Sequence, residues 1–181
     1  MAKAQGEPLE PPLWPETSQE VLANIGRCII AWGVLEREIG FAIEDCLPIP
    51  NDIAMTVSAN LAITAKLNLV RALIGQWEDA FGDAVHQELD KLCGETHKGA
   101  EHYRDFLAHG QPWAIKLDEQ TVWVWSKSSA KRGGVKSTML RLREGDMRYM
   151  ADEITALVGK WHTFRESMQE GIRLISLMSR S

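Results

Sequence analysis

The chain has 181 residues, 45% of them apolar and 25% charged, which is typical of one soluble globular domain and leaves little for a second domain. The longest apolar run is far too short to cross a bilayer. The three cysteines are widely spaced and no signal peptide precedes them, so we expect a cytoplasmic protein with free thiols. The net charge of −5 argues against a protein coated in basic surface.

The N-terminal segment, residues 1–16, contains four prolines and little that could pack. This composition predicts a disordered leader. Directly after it, Thr17 and Glu20 form a capping box, the pattern in which an N-terminal hydroxyl and a carboxylate three residues later satisfy the first backbone N–H groups of a helix. We therefore predict that residues 17–181 form a single helical domain.

Three helices are predicted in the first part of this domain. Apolar residues, Ile29 among them, recur at helical spacing over 18–46, where two prolines follow, and a second such pattern ends near Gly75. The third helix is expected to start with Asp83 as its cap and to end at Gly110, a common stop signal.

The periodicity then changes from helical to alternating. Residues 113–118, 121–125 and 135–142 are each predicted to form a strand. Helical spacing returns over 146–178. The predicted fold is mostly α: a four-helix bundle with a small antiparallel β-meander, about 113–142, inserted between helices three and four.

Basic residues are concentrated around the predicted meander. Between Lys127 and Arg148 there are seven basic and two acidic residues, a net charge of +5, so the rest of the chain carries −10. A basic patch on an acidic body can meet a phosphate backbone, although it can equally keep a strand edge soluble. The candidate nucleic-acid-binding residues are Lys127, Lys131, Arg132, Lys136, Arg141 and Arg143.

One short segment carries candidate chemistry. It reads Arg-Asp-Phe-Leu-Ala-His-Gly and runs from Arg104 to Gly110 at the end of the predicted third helix. An arginine five residues before a histidine is weak evidence alone. Here a polar residue, Asp105, follows the arginine directly, and His109 lies at a helix end with glycine after it.

This segment resembles the motif of the HEPN superfamily, helical-bundle proteins of nucleotide- and RNA-directed defence systems, including toxin–antitoxin pairs. Their motif is Arg, a polar residue, variable positions and then His, near the end of a helix in a four-helix bundle. Asp105 stands where asparagine is commonest. In one variant of the family a tyrosine two residues after the histidine is modified by a partner enzyme; here that position is Gln111.

The resemblance implies a metal-independent endoribonuclease that acts as a homodimer, with Arg104, Asp105 and His109 as its catalytic residues and no cofactor or metal. Metal-free RNA cleavage needs a base for the 2′-hydroxyl, an acid for the leaving oxygen and a cation for the developing negative charge. Histidine suits either proton-transfer role, and a guanidinium matches phosphate oxygens. In HEPN nucleases two such motifs meet across a two-fold interface, so one histidine per chain suffices.

An alternative remains open from the sequence. Arg104 and His109 can be structural, in which case the chain is a non-catalytic helical module that binds nucleic acid, an antitoxin or another partner protein. Glu36 and Lys66 fall on the apolar stripes of helices one and two, where a charge needs a partner. We expect these two side chains to support the motif as a buried polar cluster, unless they reach the surface.

Overall fold

A computed structural model of the chain describes residues 19–76, 78–117, 120–131 and 134–178. The predicted leader, 1–16, and Thr17 of the capping box lie outside these ranges. The described chain is mostly helical, with a small antiparallel sheet. Its helical elements are α1 (Gln19–Cys46), α2 (Asn51–Ala59), α3 (Ile63–Gly75), α4 (Glu78–Gly99), a π turn (Ala100–Arg104), α5 (Asp105–His109) and α6 (Glu144–Met178).

The segment predicted as one second helix contains two helices, α2 and α3. The break has a local cause, because the side-chain amide of Asn60 donates a hydrogen bond of 2.7 Å to the carbonyl oxygen of Thr56. This bond occupies a carbonyl at the end of α2, and Ala62 then adopts an extended conformation before α3 begins. A second irregularity is Gly82 in α4, whose φ of 70° suits glycine and breaks the helix directly before Asp83, the predicted start.

The three strands are β1 (Gln111–Leu117), β2 (Gln120–Lys131) and β3 (Gly134–Leu142), in the order β1-β2-β3 with antiparallel neighbours. The sheet therefore lies between α5 and α6 in the chain, where the meander was predicted. Its register pairs Gln111 with Ser126. Residues after Ser126 in β2 pair only with β3, so this part of the sheet is two-stranded.

The main core lies between α1 and α6, and α1 also packs against α2 and α3 while α4 contacts both α3 and α6. Fully buried residues of α1 and α6, such as Ile39 and Trp161, belong to this core. The indole N–H of Trp161 donates to the hydroxyl of Thr96 at 2.8 Å, so this fully buried side chain has its polar group satisfied. The helical stripe predicted for α1 was wrong at Ile29, which is 56% exposed, because Cys28 takes the core position instead.

The sheet is attached to the helices by Trp123 and Trp125, each only 3% exposed. Both belong to the same hydrophobic core as α1 and α6. Their burial removes them as platforms for stacking on nucleic-acid bases. None of the helices within the described ranges combines the length and apolarity that a bilayer crossing requires.

Candidate functional site

The motif segment begins in a π turn, which the helical periodicity of the sequence did not predict. The chain widens over Ala100–Arg104 and returns to α-helical geometry in α5, which ends at His109. Wide turns of this kind are frequent at functional sites because they rotate the side chains on either side relative to a regular helix. The arginine is thus the last residue of the wide turn, and the histidine is the last residue of the helix.

Gly110 fixes the end of α5. Its backbone N–H donates to the carbonyl oxygen of Phe106 at 2.8 Å, and the backbone then extends directly into β1. A β-carbon at this position would lie 2.5 Å from that carbonyl oxygen and 3.1 Å from Cδ1 of Trp125. Glycine is therefore required by close approach, and its φ of −80° is ordinary.

The guanidinium of Arg104 lies at the centre of the candidate site. Its Nη2 is 3.8 Å from Oε1 of Glu36, and its Nη1 is 3.3 Å from Oδ1 of Asp105 and 3.5 Å from Nε2 of His109. The side chains of Arg104, Glu36 and Asp105 are 35%, 30% and 33% exposed, and His109 is exposed. The motif residues therefore converge where a ligand can reach them.

The contact between Arg104 and His109 also constrains the imidazole. A guanidinium has only donors, so a hydrogen bond at this contact requires Nε2 of His109 to act as the acceptor. At 3.5 Å the contact is at the outer limit of a hydrogen bond, so a substrate hydroxyl can replace the arginine as partner of Nε2.

Glu36 is held in place from the opposite side. The indole N–H of Trp32 donates to Oε1 of Glu36 at 2.8 Å, and Trp32 is only 6% exposed. A buried ring therefore fixes the carboxylate that faces Arg104. This arrangement forms a positioning chain from Trp32 through Glu36 to Arg104.

Lys66 does not join these side chains, contrary to the prediction that it belongs to the polar cluster. It is 6% exposed, so it is buried as predicted, but its Nζ donates to the main-chain oxygen of Glu36 at 3.4 Å. The carboxylate of Glu36 instead faces Trp32 and Arg104. Lys66 thus connects α3 to the backbone of α1, and the polar cluster consists of Glu36, Arg104, Asp105 and His109.

A pocket of about 210 Å³ opens beside this polar cluster. Glu36 and Arg104 supply its polar side, and Ile29, Gly33 and Leu107 belong to its apolar side. The pocket is below the usual size range for a drug-sized ligand, so it has room for only one small group.

An exposed apolar surface on α1 borders this pocket. Leu22, Ile29, Ile30 and Val34 are 56%, 56%, 70% and 43% exposed, and they recur at helical spacing; we call them the α1 stripe. Ile29 belongs to both the stripe and the pocket. Large exposed apolar patches mark interaction sites, so the α1 stripe is a candidate contact surface.

The basic segment of the sheet also begins next to the candidate site. Because Gln111 pairs with Ser126, the backbone of β2 and β3 continues past the start of β1, at the side where His109 ends α5. We call residues 127–131 and 134–138 the hairpin extension; five residues of strand span about 16 Å. It contains Lys127, Lys131 and Lys136, whereas Arg132 lies outside the described residues. Arg141 and Arg143 follow it and are exposed.

The thiols are poorly suited to chemistry. Burial raises the pKa of Cys28 to about 11, of Cys46 to about 12 and of Cys93 to about 11. The reactive thiolate is therefore disfavoured at neutral pH in all three. In the described part of the chain, no group of three His, Cys, Asp or Glu side chains is arranged to hold a metal ion.

No family model matches the chain, and no curated protein or solved structure is significantly similar to it.

Proposed function

We propose that this chain is a HEPN-like, metal-independent endoribonuclease that acts as a homodimer. The observation that carries the proposal is the convergence of Arg104, Asp105 and His109 at an accessible surface, with the imidazole in contact with the guanidinium. A purely structural pair would be buried and fully hydrogen-bonded. The likeness to HEPN proteins rests on the Arg104–Gly110 motif and on the mostly helical fold.

In this mechanism His109 transfers the proton and Arg104 binds the phosphate. The neutral imidazole takes the proton of a ribose 2′-hydroxyl, or in its protonated form gives one to the leaving 5′-oxygen. The guanidinium stabilises the negative charge that develops on the phosphate oxygens. Its five N–H donors allow it to contact a phosphate while Glu36 and Asp105 keep it oriented.

We infer that α1, α3, α4 and α6 form a four-helix bundle, because each helix contacts the next and α6 also contacts α1.

The dimer would form along the α1 stripe. A two-fold interface there would bring two copies of His109 towards each other, so that one serves as base and the other as acid. Three buried free cysteines favour a reducing compartment such as the cytoplasm, where an antitoxin or other partner is a second candidate for the stripe.

The hairpin extension supports RNA as the substrate. Its lysines lie on strands that continue from the side where His109 is located, so an RNA backbone bound there would lead into the polar cluster. Reversing Lys131, Arg132 and Lys136 to glutamate should weaken RNA binding and flatten its salt dependence. Unchanged affinity and salt slope would show that these residues serve only solubility.

One observation favours the alternative, a non-catalytic module that binds nucleic acid or a partner protein. The charge of Arg104 already faces the carboxylates of Glu36 and Asp105, and such neutralisation weakens a cation as a phosphate ligand. In that case the motif would order the end of α5 without performing chemistry.

The decisive experiment is incubation of the purified protein with mixed RNA in the presence of EDTA. We expect the wild type to cleave RNA and His109→Ala to be inactive but folded. As a matched control, His97→Ala changes an exposed histidine of α4 that pairs with Glu101 and should retain full activity. Absence of cleavage by the wild type, with intact RNA binding, would favour the non-catalytic module.

Dimerisation is tested separately. Light scattering after size-exclusion chromatography should give about twice the 20.3 kDa chain mass. Ile30→Asp places a charge at the most exposed residue of the α1 stripe and should yield a monomer. Ile53→Asp, at a residue of α2 that is 50% exposed, is the control and should remain dimeric. A wild-type monomer at micromolar concentration contradicts the two-copy mechanism.

A further inference from the structure

A second and larger cavity, of about 550 Å³, lies between α6 and the end of α4 with its π turn. It is a neighbour of the Arg104 pocket, because Trp32 and Ile154 line both. The indole of Trp32 separates the two: its N–H points to Glu36, and its Cζ3 is 3.4 Å from the place where a β-carbon of Gly99 would lie. The two cavities are therefore one ring width apart.

The inner wall of this cavity is apolar. It is lined by Trp32, Ile154 and Leu157, all buried, together with Gly99. A β-carbon at Gly99 would be in ordinary van der Waals contact with the indole, so Gly99 and Trp32 lie side by side in this wall. Cavities of roughly 300–1,000 Å³ with apolar walls and a few convergent polar groups are the usual form of small-ligand sites.

The rim carries polar and aromatic groups. His102 and Tyr103 come from the π turn, directly before Arg104, and their ring centroids are 6.3 Å apart. The Nδ1 of His102 donates to the carbonyl oxygen of Lys98 at 2.9 Å, which places the imidazole at the same edge as the Lys98 cation. The rim thus combines two flat rings with the Lys98 cation, while Glu95 and Lys160, which also line the cavity, form an ion pair of 2.7 Å with each other.

Glu153 supplies an oriented carboxylate opposite these rings. Its Oε2 accepts a hydrogen bond from Tyr103 at 3.3 Å, and its Oε1 accepts one from Tyr149 at 2.8 Å. The pKa of Tyr103 is raised by burial and then by Glu153, and that of Tyr149 by its hydrogen bond to Glu153, so both hydroxyls remain donors. A carboxylate oxygen has further lone pairs, which can accept from a ligand amino group.

We propose that this cavity is a nucleotide subsite that receives the base next to the phosphate bound at Arg104, with a preference for bases that carry an amino group. The inference rests on the proposed function and deepens it. The apolar wall and the rings accommodate the flat base, Lys98 attracts a flanking phosphate, and Glu153 accepts the amino hydrogen of cytosine, adenine or guanine, which uracil lacks. The ligand can be a nucleotide within RNA or a free mononucleotide.

The test uses the full chain and a fluorescent 2′-O-methyl oligonucleotide, which lacks the attacking hydroxyl and so reports binding without cleavage. Ala156→Phe fills the cavity from α6, and Thr155→Phe places the same ring one position along the helix, outside the lining. We expect the first variant to weaken binding roughly five- to 150-fold, the range of base–aromatic stacking, and the second to bind normally. Equal affinity of the two variants would overturn the proposal.

Charge and base preference are tested in the same assay. Lys98→Gln should weaken binding, while Lys91→Gln, an exposed lysine of the same helix that does not line the cavity, should not. Glu153→Gln should reduce the preference for a cytosine-containing oligonucleotide over its uracil counterpart. No base preference in the wild type, or a preference unchanged by Glu153→Gln, would contradict the role given to the carboxylate.

Two further experiments ask whether the ligand is RNA or a free nucleotide, and whether the cavity proposal holds independently of the proposed nuclease function. Titration with AMP, GMP, CMP and UMP shows whether the cavity also binds free nucleotides, and competition with the oligonucleotide shows whether they share it. If the wild type lacks nuclease activity but Ala156→Phe still weakens nucleotide binding, this inference stands and the proposed nuclease function is wrong. If the wild type cleaves RNA and Ala156→Phe changes neither binding nor cleavage, the nuclease function stands and this inference is wrong.

Discussion

The variant Arg104→Ala tests whether Arg104 binds a phosphate or only stabilises the fold. The substitution removes the guanidinium from its contacts with Glu36, Asp105 and His109. Glu36 keeps its hydrogen bond from Trp32, and the Asp105 side chain, 33% exposed, remains in contact with water. The change therefore leaves no buried charge without a partner.

The magnitude follows from this partial exposure. Ion pairs of this kind contribute about 0–1 kcal/mol each, so the two pairs together should contribute about 1 kcal/mol to the free energy of unfolding. For a chain of this length, that lowers Tm by about 2–4 °C. If Arg104 instead belonged to a buried ion pair, its removal would lower the free energy of unfolding by about 3–5 kcal/mol, and Tm would fall by more than about 6 °C. By contrast, loss of a group that stabilises transition-state charge lowers the cleavage rate about 100- to 1,000-fold.

The assay pairs thermal melting with RNA cleavage on the same protein sample. Arg71→Ala is the matched control, because Arg71 forms an ion pair of 2.8 Å with Asp90 on α4, and its side chain is 39% exposed, close to the 35% of Arg104. We expect similar Tm losses for the two variants and a loss of cleavage only for Arg104→Ala. Full activity of Arg104→Ala, or a Tm loss several degrees beyond that of the control, would refute this reasoning.

Three other predictions concern proton transfer, the core and the thiols. His109→Ala should lower Tm by less than about 4 °C, because the ring is exposed, and a larger fall in melting curves would mark a structural role. Thr96→Val leaves the buried N–H of Trp161 without an acceptor and should cost about 1–3 kcal/mol in urea unfolding, whereas no loss would show that water replaces the hydroxyl. Burial raises the pKa of the Cys46 thiol from about 9 in the unfolded chain to about 12 in the fold. The stability that the buried thiol contributes is therefore complete below pH 9 and is lost as the pH rises towards 12. Cys46→Ala should accordingly reduce the decrease of Tm at alkaline pH.

Much of the secondary structure follows from short-range signals. The predicted strand over 135–142 lies within β3, and the helix predicted over 146–178 corresponds to α6, which begins two residues earlier at Glu144. Its start is fixed by Asp146, whose Oδ2 accepts from the N–H of Arg143 at 2.8 Å, the local interaction that a capping pattern describes. Patterns within one turn or one strand were sufficient here.

Other features depended on contacts between distant residues. The periodicity of α1 suggested Ile29 for the core, but an apolar helix has more than one apolar face, and packing against α6 selected the other. The π turn has no sequence signature of its own. In the candidate site, the sequence correctly grouped Glu36 with Arg104. It could not show that Lys66 contacts the main-chain oxygen of Glu36 and not its carboxylate, because that depends on how α3 packs against α1.

The short connection at Gly110 has a mechanical consequence. One residue with no room for a side chain separates His109 from β1, so no compliant loop can absorb movement of the sheet relative to α5. Gly110 lies against Trp125, so β2 and α5 are in direct contact at this point. We therefore expect that a polymer bound to the hairpin extension would change the orientation of the His109 imidazole.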